Sequence, residues 1–423
     1  MRALIALLIA MSAFGAPRYL SLDNLIALAL KQSPDLALYR ADLNASLAKW
    51  QESRSAKKPA VTLQGGAGGV MSRIDDTLSG ALVTGTLGAS QLLYDFGRSD
   101  SLVEATQKQS EAAEADLKQA VLDKIFRVKS AYYRLLQAKH LIAVAEEDVR
   151  LNEKQLYRAQ RYFEAGIRTK IDVTDAEVNL LQAQKRLSDT RYDYLRAGYE
   201  LAREIGVDAE AKGYEILTPR LDANATRAAR PAQSLKELEA YAYAHRPDLS
   251  ACRLRRQSTL AVVKEAKGAY YPRLALEGDY TLNHVSDDAF KAAFPDRQAR
   301  GLVTLRWSLY EGGARDARYR QALAQSQKSA AACLRQKLTV RQQVADAYTL
   351  TQKAYERVRL ATEVAASAKE KFHQAQKRYE NGLADFIELQ QARQGHIDAE
   401  SALVIDIYAF FTALANLDRA VGR

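Results

Sequence analysis

The chain is poor in the residues that staple, ligate or interrupt. Of 423 residues, 2 are cysteine, 8 proline, 3 methionine, 2 tryptophan and 5 histidine. Cys252 and Cys333 are too few for a disulfide framework, and both fall in helical stretches, where two buried small apolar side chains are expected. His140, His245, His284, His373 and His396 are scattered without metal-ligand spacing, and neither a His-Glu-x-x-His helix nor a nucleophile elbow occurs. So few methionines give no thioether route for copper. Catalytic residues, metal sites and cofactors are therefore not expected. Gly65-Gly66-Ala67-Gly68-Gly69 lacks the following Lys and helix start of a phosphate cradle, and reads as a thin stretch of strand or a bend. The net charge of +10 would suit an acidic partner. The signs alternate along the helical stretches, however, as in Glu146, Glu147, Asp148, Arg150, Glu153 and Lys154. They read as solvated helix faces, and no nucleic-acid partner is expected.

What the chain has instead is length without breaks. Residues 98–165, between Gly97 and Gly166, contain neither glycine nor proline, and residues 314–381, between Gly313 and Gly382, repeat the feature. Filled with Ala, Leu, Glu, Gln, Lys and Arg, each run predicts one continuous helix of about 100 Å at 1.5 Å per residue. Leu117, Val121, Ile125, Val128, Tyr132, Leu135, Ile142 and Val149 keep near-heptad spacing along the first run, so one seam faces a neighbouring helix. Ala112, Ala131 and Ala138 along the same run permit close approach.

The N-terminus, Met1-Arg2, an apolar run from Ala3 to Met11 and then Ser12-Ala13-Phe14-Gly15, has the parts of a secretory signal peptide, expected over 1–15. No other stretch approaches the roughly 18 consecutive apolar residues of a spanning helix. That leaves a β-barrel as the way for such an exported chain to cross a membrane.

The rest is a duplication. Ser21, Pro34, Asp35 and Pro59 recur in order and spacing as Ser234, Pro247, Asp248 and Pro272. Leu93, Tyr94, Gly97, Tyr132, Gly166, Ile171 and Gly206 recur as Leu309, Tyr310, Gly313, Tyr348, Gly382, Ile387 and Gly422. The first repeat is expected over 16–206, with strands at about 60–71 and 81–94, a long helix over 98–165 and a return helix over 170–204. A polar, proline-containing joint follows over 207–233. The second repeat, 234–423, has strands at about 273–283 and 301–310, a long helix over 314–381 and a return helix over 385–421. Leu274, Leu276, Tyr280 and Leu282 alternate with Ala275, Glu277, Asp279, Thr281 and Asn283, and Val303, Leu305 and Trp307 alternate with Thr304, Arg306 and Ser308. This suits an apolar-out, polar-in barrel wall, and equally a soluble sandwich. Four strands cannot close a barrel, so spanning a membrane would require several copies of the chain. The alternative class is a secreted or periplasmic coiled-coil protein that binds partners along its rods. It leaves the paired strands before each rod without a purpose.

The duplicated layout, the Leu-Tyr-x-x-Gly junctions at Leu93, Tyr94, Gly97 and Leu309, Tyr310, Gly313, and the turns at residues 161–173 and 377–389 resemble the TolC-type outer-membrane efflux family over essentially the whole mature chain. That resemblance implies a mainly α fold with a β-barrel part: a homotrimer whose protomers give four strands each to a 12-stranded barrel and continue it as a 12-helix tunnel. It implies a passive exit duct in the outer membrane of a Gram-negative bacterium, with most of the chain in the periplasm. Its partners would be outer-membrane lipid, an inner-membrane pump and a periplasmic adaptor. Trp307 would be an interfacial aromatic. Carried over by position, the gate and adaptor-contacting turns would be Phe163, Gly166, Arg168, Asp172 and Asp175 in the first repeat and Tyr379, Gly382, Asp385 and Glu388 in the second. Three copies of Asp172 or Asp175 would converge into an acidic ring. The second turn has Gln391 where the first has Asp175, which leaves open which turn forms the inner gate. Asp172 and Glu388 also sit where a carboxylate simply caps a helix start.

Overall fold

The computed structural model describes residues 18–73, 77–167, 169–207, 214–216, 226 and 232–423. The expected signal peptide, most of the joint between the repeats, and Arg168 lie outside them.

The two halves match element for element. Helices α1 (Leu22–Gln32) and α5 (Leu235–His245) have 11 residues each, and α2 (Pro34–Ser55) and α6 (Pro247–Gly268) have 22 each. The long helices α3 (Arg98–Glu164) and α7 (Ala314–Glu380) have 67 each, and the return helices α4 (Lys170–Ile205) and α8 (Phe386–Val421) have 36 each. Ser21 and Ser234 cap α1 and α5 through their hydroxyls, while Pro34 and Pro247 open α2 and α6, where the absent N–H costs nothing. Among the described residues no helix is long and apolar enough to cross a membrane.

The described chain divides into two compact units. One gathers Tyr39–Leu117 and Pro247–Lys337. It holds an antiparallel sheet in the order β2-β3-β5-β6: β2 (Ala60–Arg73), β3 (Thr77–Tyr94), β5 (Arg273–Val285) and β6 (Arg297–Arg306). The register sorts side chains by face. Leu63, Leu87 and Tyr280 stand in one row, and Leu276 faces Val303 on the same side. Gln64, Thr86, Thr281 and Gln298 stand in a row on the other, beside Asp279 and Arg300. The apolar face is bare: Leu63 is 81% exposed and Val303 63%. β6 ends at Arg306, so Trp307 lies just past the strand, where its indole N–H donates to the Tyr270 carbonyl at 3.1 Å. The junction after β3 reverses through Phe96 (φ 55°) and Gly97 (φ 79°), and the one after β6 through Gly312 (φ 60°) and Gly313 (φ 82°). At these backbone angles glycine is unstrained. Tyr94 and Tyr310 beside them are exposed.

In the same unit α6 lies close on α3 through Ala112, Ala115 and Ala251, and a Cβ on Gly268 would fall 2.9 Å from the Cβ of Arg98. Arg98 also pairs with Glu265 at 2.7 Å. The expectation for the cysteines is corrected here. Cys252 of α6 and Cys333 of α7 are disulfide-bonded, with Cα atoms 5.4 Å apart. Facing positions on two adjacent helices are close in space although 81 residues apart in sequence, which composition does not reveal.

The second unit is helical, with a two-stranded parallel sheet of β1 (Arg18–Leu20) and β4 (Tyr214–Ile216). Its core joins Leu25 and Ala29 of α1, Val128, Tyr132, Leu135 and Leu136 of α3, Ala197, Leu201 and Ile205 of α4, and Val404 and Tyr408 of α8. Lys124, 2% exposed, is held inside by Glu204 at 3.0 Å and Asp35 at 3.2 Å. Burial pushes the Glu204 carboxyl up, but bonds from Lys124 and Arg203 outweigh it and hold the group below its usual range.

Candidate functional site

The two turns on which the sequence reading converges are built alike. Each long helix ends in a left-handed glycine, Gly166 at φ 74° and Gly382 at φ 73°. The Ile167 N–H reaches back to the Tyr162 carbonyl at 2.9 Å, and the Leu383 N–H to the Arg378 carbonyl at 2.8 Å. This is the bond pattern that ends a helix when a residue without Cβ stands just past it. The return helices then start on carboxylates. Asp172 Oδ2 accepts from the Thr169 backbone N–H at 3.2 Å and from its hydroxyl at 3.3 Å. Asp385 Oδ1 accepts from the Glu388 N–H at 2.7 Å.

The turns form one packed end. Ala159, Ala176, Ala375, Tyr379, Phe386 and Leu389 make a small buried cluster, and the rings of Tyr162 and Tyr379 stand 6.5 Å apart. Arg158 of α3 pairs with Glu380 of α7 at 3.0 Å. A hydrogen bond from Gln376, helped by the charge of Arg158, holds the Glu380 carboxyl below its ordinary value. Glu388 is engaged by Arg378 at 2.7 Å. Of the residues singled out in sequence, Gly166 and Gly382 make the turns, Tyr379 is buried, Asp172 and Asp385 cap helices, and Glu388 is paired. Phe163 and Asp175 are exposed, together with Ile167 and Leu383. Asp175 faces water, as do Glu164, Glu177 and Asp385.

The sequence hides the surroundings of one charged group. Asp148, which the alternating signs place among the solvated charges, is 1% exposed. Its carboxylate lies between Arg393 of α8, itself 2% exposed, and Arg186 of α4, the latter at 2.7 Å, and it also accepts from Asn152 at 3.0 Å. A single carboxylate on α3 thus holds both return helices. A buried charge survives only when paired and hydrogen-bonded, and here the pairing spans three helices. Alternating signs hid it, because its cationic partners are 38 and 245 residues away.

The model of the outer membrane efflux protein family matches residues 25–207 and 240–423. The outer membrane protein TolC of Vibrio cholerae serotype O1 is 27% identical over 292 residues, which cover 67% of this chain and 64% of that protein. The match therefore spans just under two thirds of that relative's own length. The outer membrane protein OprJ of Pseudomonas aeruginosa is 24% identical over 419 residues, covering 95% and 84%. Among solved structures, the outer-membrane channel OprN superposes with a TM-score of 0.82 at 23% identity over 95% of this chain and 89% of that one. VceC of Vibrio cholerae does so with 0.80 at 20% identity over 95% and 96%. The structural likenesses show the fold: long helices with a few antiparallel strands, as in these channels. With the family pattern matched through both repeats, the chain belongs to the outer membrane efflux protein family, whose place is the outer membrane of Gram-negative bacteria.

Proposed function

We propose that three copies of this chain form a passive exit duct across the outer membrane and periplasm, recruited by a periplasmic adaptor and an inner-membrane pump for efflux or type I secretion. One observation carries the reading: the sheet is open. Among the described residues β2 and β6 are its edges, each with a single strand neighbour. Its apolar face is exposed, and the opposite face is polar. In lipid, unpaired edge N–H and C=O groups cost several kcal/mol each, so the only spanning arrangement open to this sheet is closure with further copies. β6 of one copy against β2 of the next, three times round, gives 12 strands and leaves no edge. The polar face becomes the wall of an aqueous lumen, and the long helices become staves of a 12-helix tunnel.

The turns are the mouth of that tunnel. Phe163, Ile167 and Leu383 are exposed apolar side chains at the helix reversals and suit contact with an adaptor. Asp175 takes over the role of ring-forming acid, since Asp172 is committed to its helix start. The experiment is fractionation of cells expressing the full chain, followed by unheated gel electrophoresis and planar-bilayer recording. A trimer-sized, heat-dissociated band in the outer membrane that conducts ions is expected. A monomer in the soluble periplasm would end the duct reading.

A further inference from the structure

The polar face of the sheet carries an arrangement that folding does not ask for. Arg273 opens β5 and Arg306 closes β6, and the register sets them directly opposite one another. Like charges in that position destabilise a sheet. Their neighbours neutralise them only in part. Asp279 is taken by its own cross-strand partner Arg300, at 3.1 and 3.2 Å from Nε to its two oxygens. Glu277 is reached by Arg306 only at 3.7 Å, and the Arg306 side chain stays 81% exposed. Among the described residues no carboxylate pairs with Arg273. Lys58, between α2 and β2, adds a third cation. Lys58, Arg273 and Arg306 line, with Ser90, Glu277 and Thr304, one concavity of about 410 Å³. Three cations and one carboxylate leave that hollow with a positive surplus.

We infer that Lys58, Arg273 and Arg306 form an anion-binding and charge-selecting site on the polar face of the sheet. It takes solutes that carry a carboxylate, sulfonate or phosphate. The inference rests on the proposed reading of this face as a lumen wall. Two guanidinium groups side by side present the parallel N–H pairs that planar oxyanions accept, and the ammonium adds an undirected charge. Glu277 sets the strength: it competes with an incoming anion for Arg306, so the anion is attracted without being trapped, as conduction requires. In a trimer the site recurs three times round the lumen. Lipid is excluded as the source of the anion, because the side chains suited to hydrocarbon stand on the opposite face.

The test is the reversal potential of the purified full-length protein in planar bilayers under a potassium chloride gradient. The ratio of chloride to potassium permeability is expected to fall at least about twofold in R273E/R306E, and by less in R273Q/R306Q, because the lumen charge alone has changed. R273K/R306K, which keeps the charge, should keep the wild-type ratio, and it remains informative if the reversed variant fails to assemble. Channels of ordinary conductance whose ratio is unchanged in both R273E/R306E and R273Q/R306Q would overturn the anion site and leave the duct standing. A wild-type protein that reaches the bilayer as a trimer and does not conduct would overturn both.

Discussion

The two return helices have the same length and follow the same turn, yet they live in different surroundings. α8 buries large side chains along its whole course, Phe386, Leu389, Ile397, Val404, Ile407, Phe410 and Leu417 among them. α4 buries Ala176, Ala183 and Ala197, and larger apolar residues only near its end at Leu201 and Ile205. Its large apolar residues point the other way. Ile171 is 70% exposed, Leu181 64% and Tyr192 70%, and with Val178, Leu195 and Tyr199 they recur at coiled-coil spacing. Duplication supplied two equal helices, but one chain supplies neighbours on both sides to only one of them. The uncovered stripe on α4 has the pattern of a seam, and in the proposed trimer its cover is another copy. The largest effect expected from any substitution follows. Leu181→Asp with Leu195→Asp should leave the chain helical by circular dichroism and abolish the trimer-sized band. A trimer that survives both charges would mean that α4 faces water in the assembly and that the contrast with α8 has another cause.

Asp148 makes the two return helices depend on one another, because it pairs with Arg186 of α4 and with the buried Arg393 of α8. Asp148→Ala would strand the Arg393 guanidinium without a counter-charge, at a cost of about 3–5 kcal/mol. The check is a lowered Tm of the unassembled or assembled protein. Because the penalty lies in the unpaired charge, Asp148→Ala with Arg393→Met should recover most of it. A double variant no better than the single one would show that the geometry of the triad, rather than charge balance, holds α4 and α8 to α3.

Why the helices were legible in sequence and this triad was not comes down to range. The rods, the glycine turns and the proline starts of α2 and α6 are set by neighbours within a turn or two, so residues such as Gly166 and Pro247 announce them directly. Face-sorting of β5 is also local, since alternation over a few residues suffices. The charge of Asp148 looked like one more solvated carboxylate because nothing nearby distinguishes it. The cysteines posed the same problem, and so did the role of Asp172. Its position three residues into α4 serves a ring or a cap equally well in sequence, and only the 3.2 Å approach to the Thr169 N–H assigns it to the cap.

The Cys252–Cys333 bond belongs to the second half alone. By the repeat, the corresponding residues of the first half are Tyr39 and Leu117, which cannot cross-link. In the chain-entropy account a link over 81 residues stabilises by up to about 4.5 kcal/mol. Dithiothreitol should lower the Tm of the wild type, Cys252→Ala with Cys333→Ala should lower it similarly, and the reductant should then do nothing further to the variant. Equal Tm values in all conditions would place the two halves on the same footing despite the bond.

The smallest expected effects decide what the turns are for. Asp385 caps α8 from the N-cap position itself, whereas Asp172 reaches back to the start of α4 from inside the first turn. Replacing an N-cap acid costs about 1 kcal/mol, and the reciprocal member of a capping box contributes less. Asp385→Ala should therefore lower the Tm slightly more than Asp172→Ala. Neither carboxylate is free to act on a permeating ion, since each already accepts from backbone N–H at its helix start. Asp175 is exposed one turn further on. Asp175→Ala should thus raise single-channel conductance for large cations or alter their selectivity, while Asp172→Ala leaves both as they were. The reverse result would return the ring to Asp172 and make its helix cap a feature of the closed mouth alone. In that case the first turn would differ from the second by losing its cap on opening, whereas α8 keeps Asp385 in place.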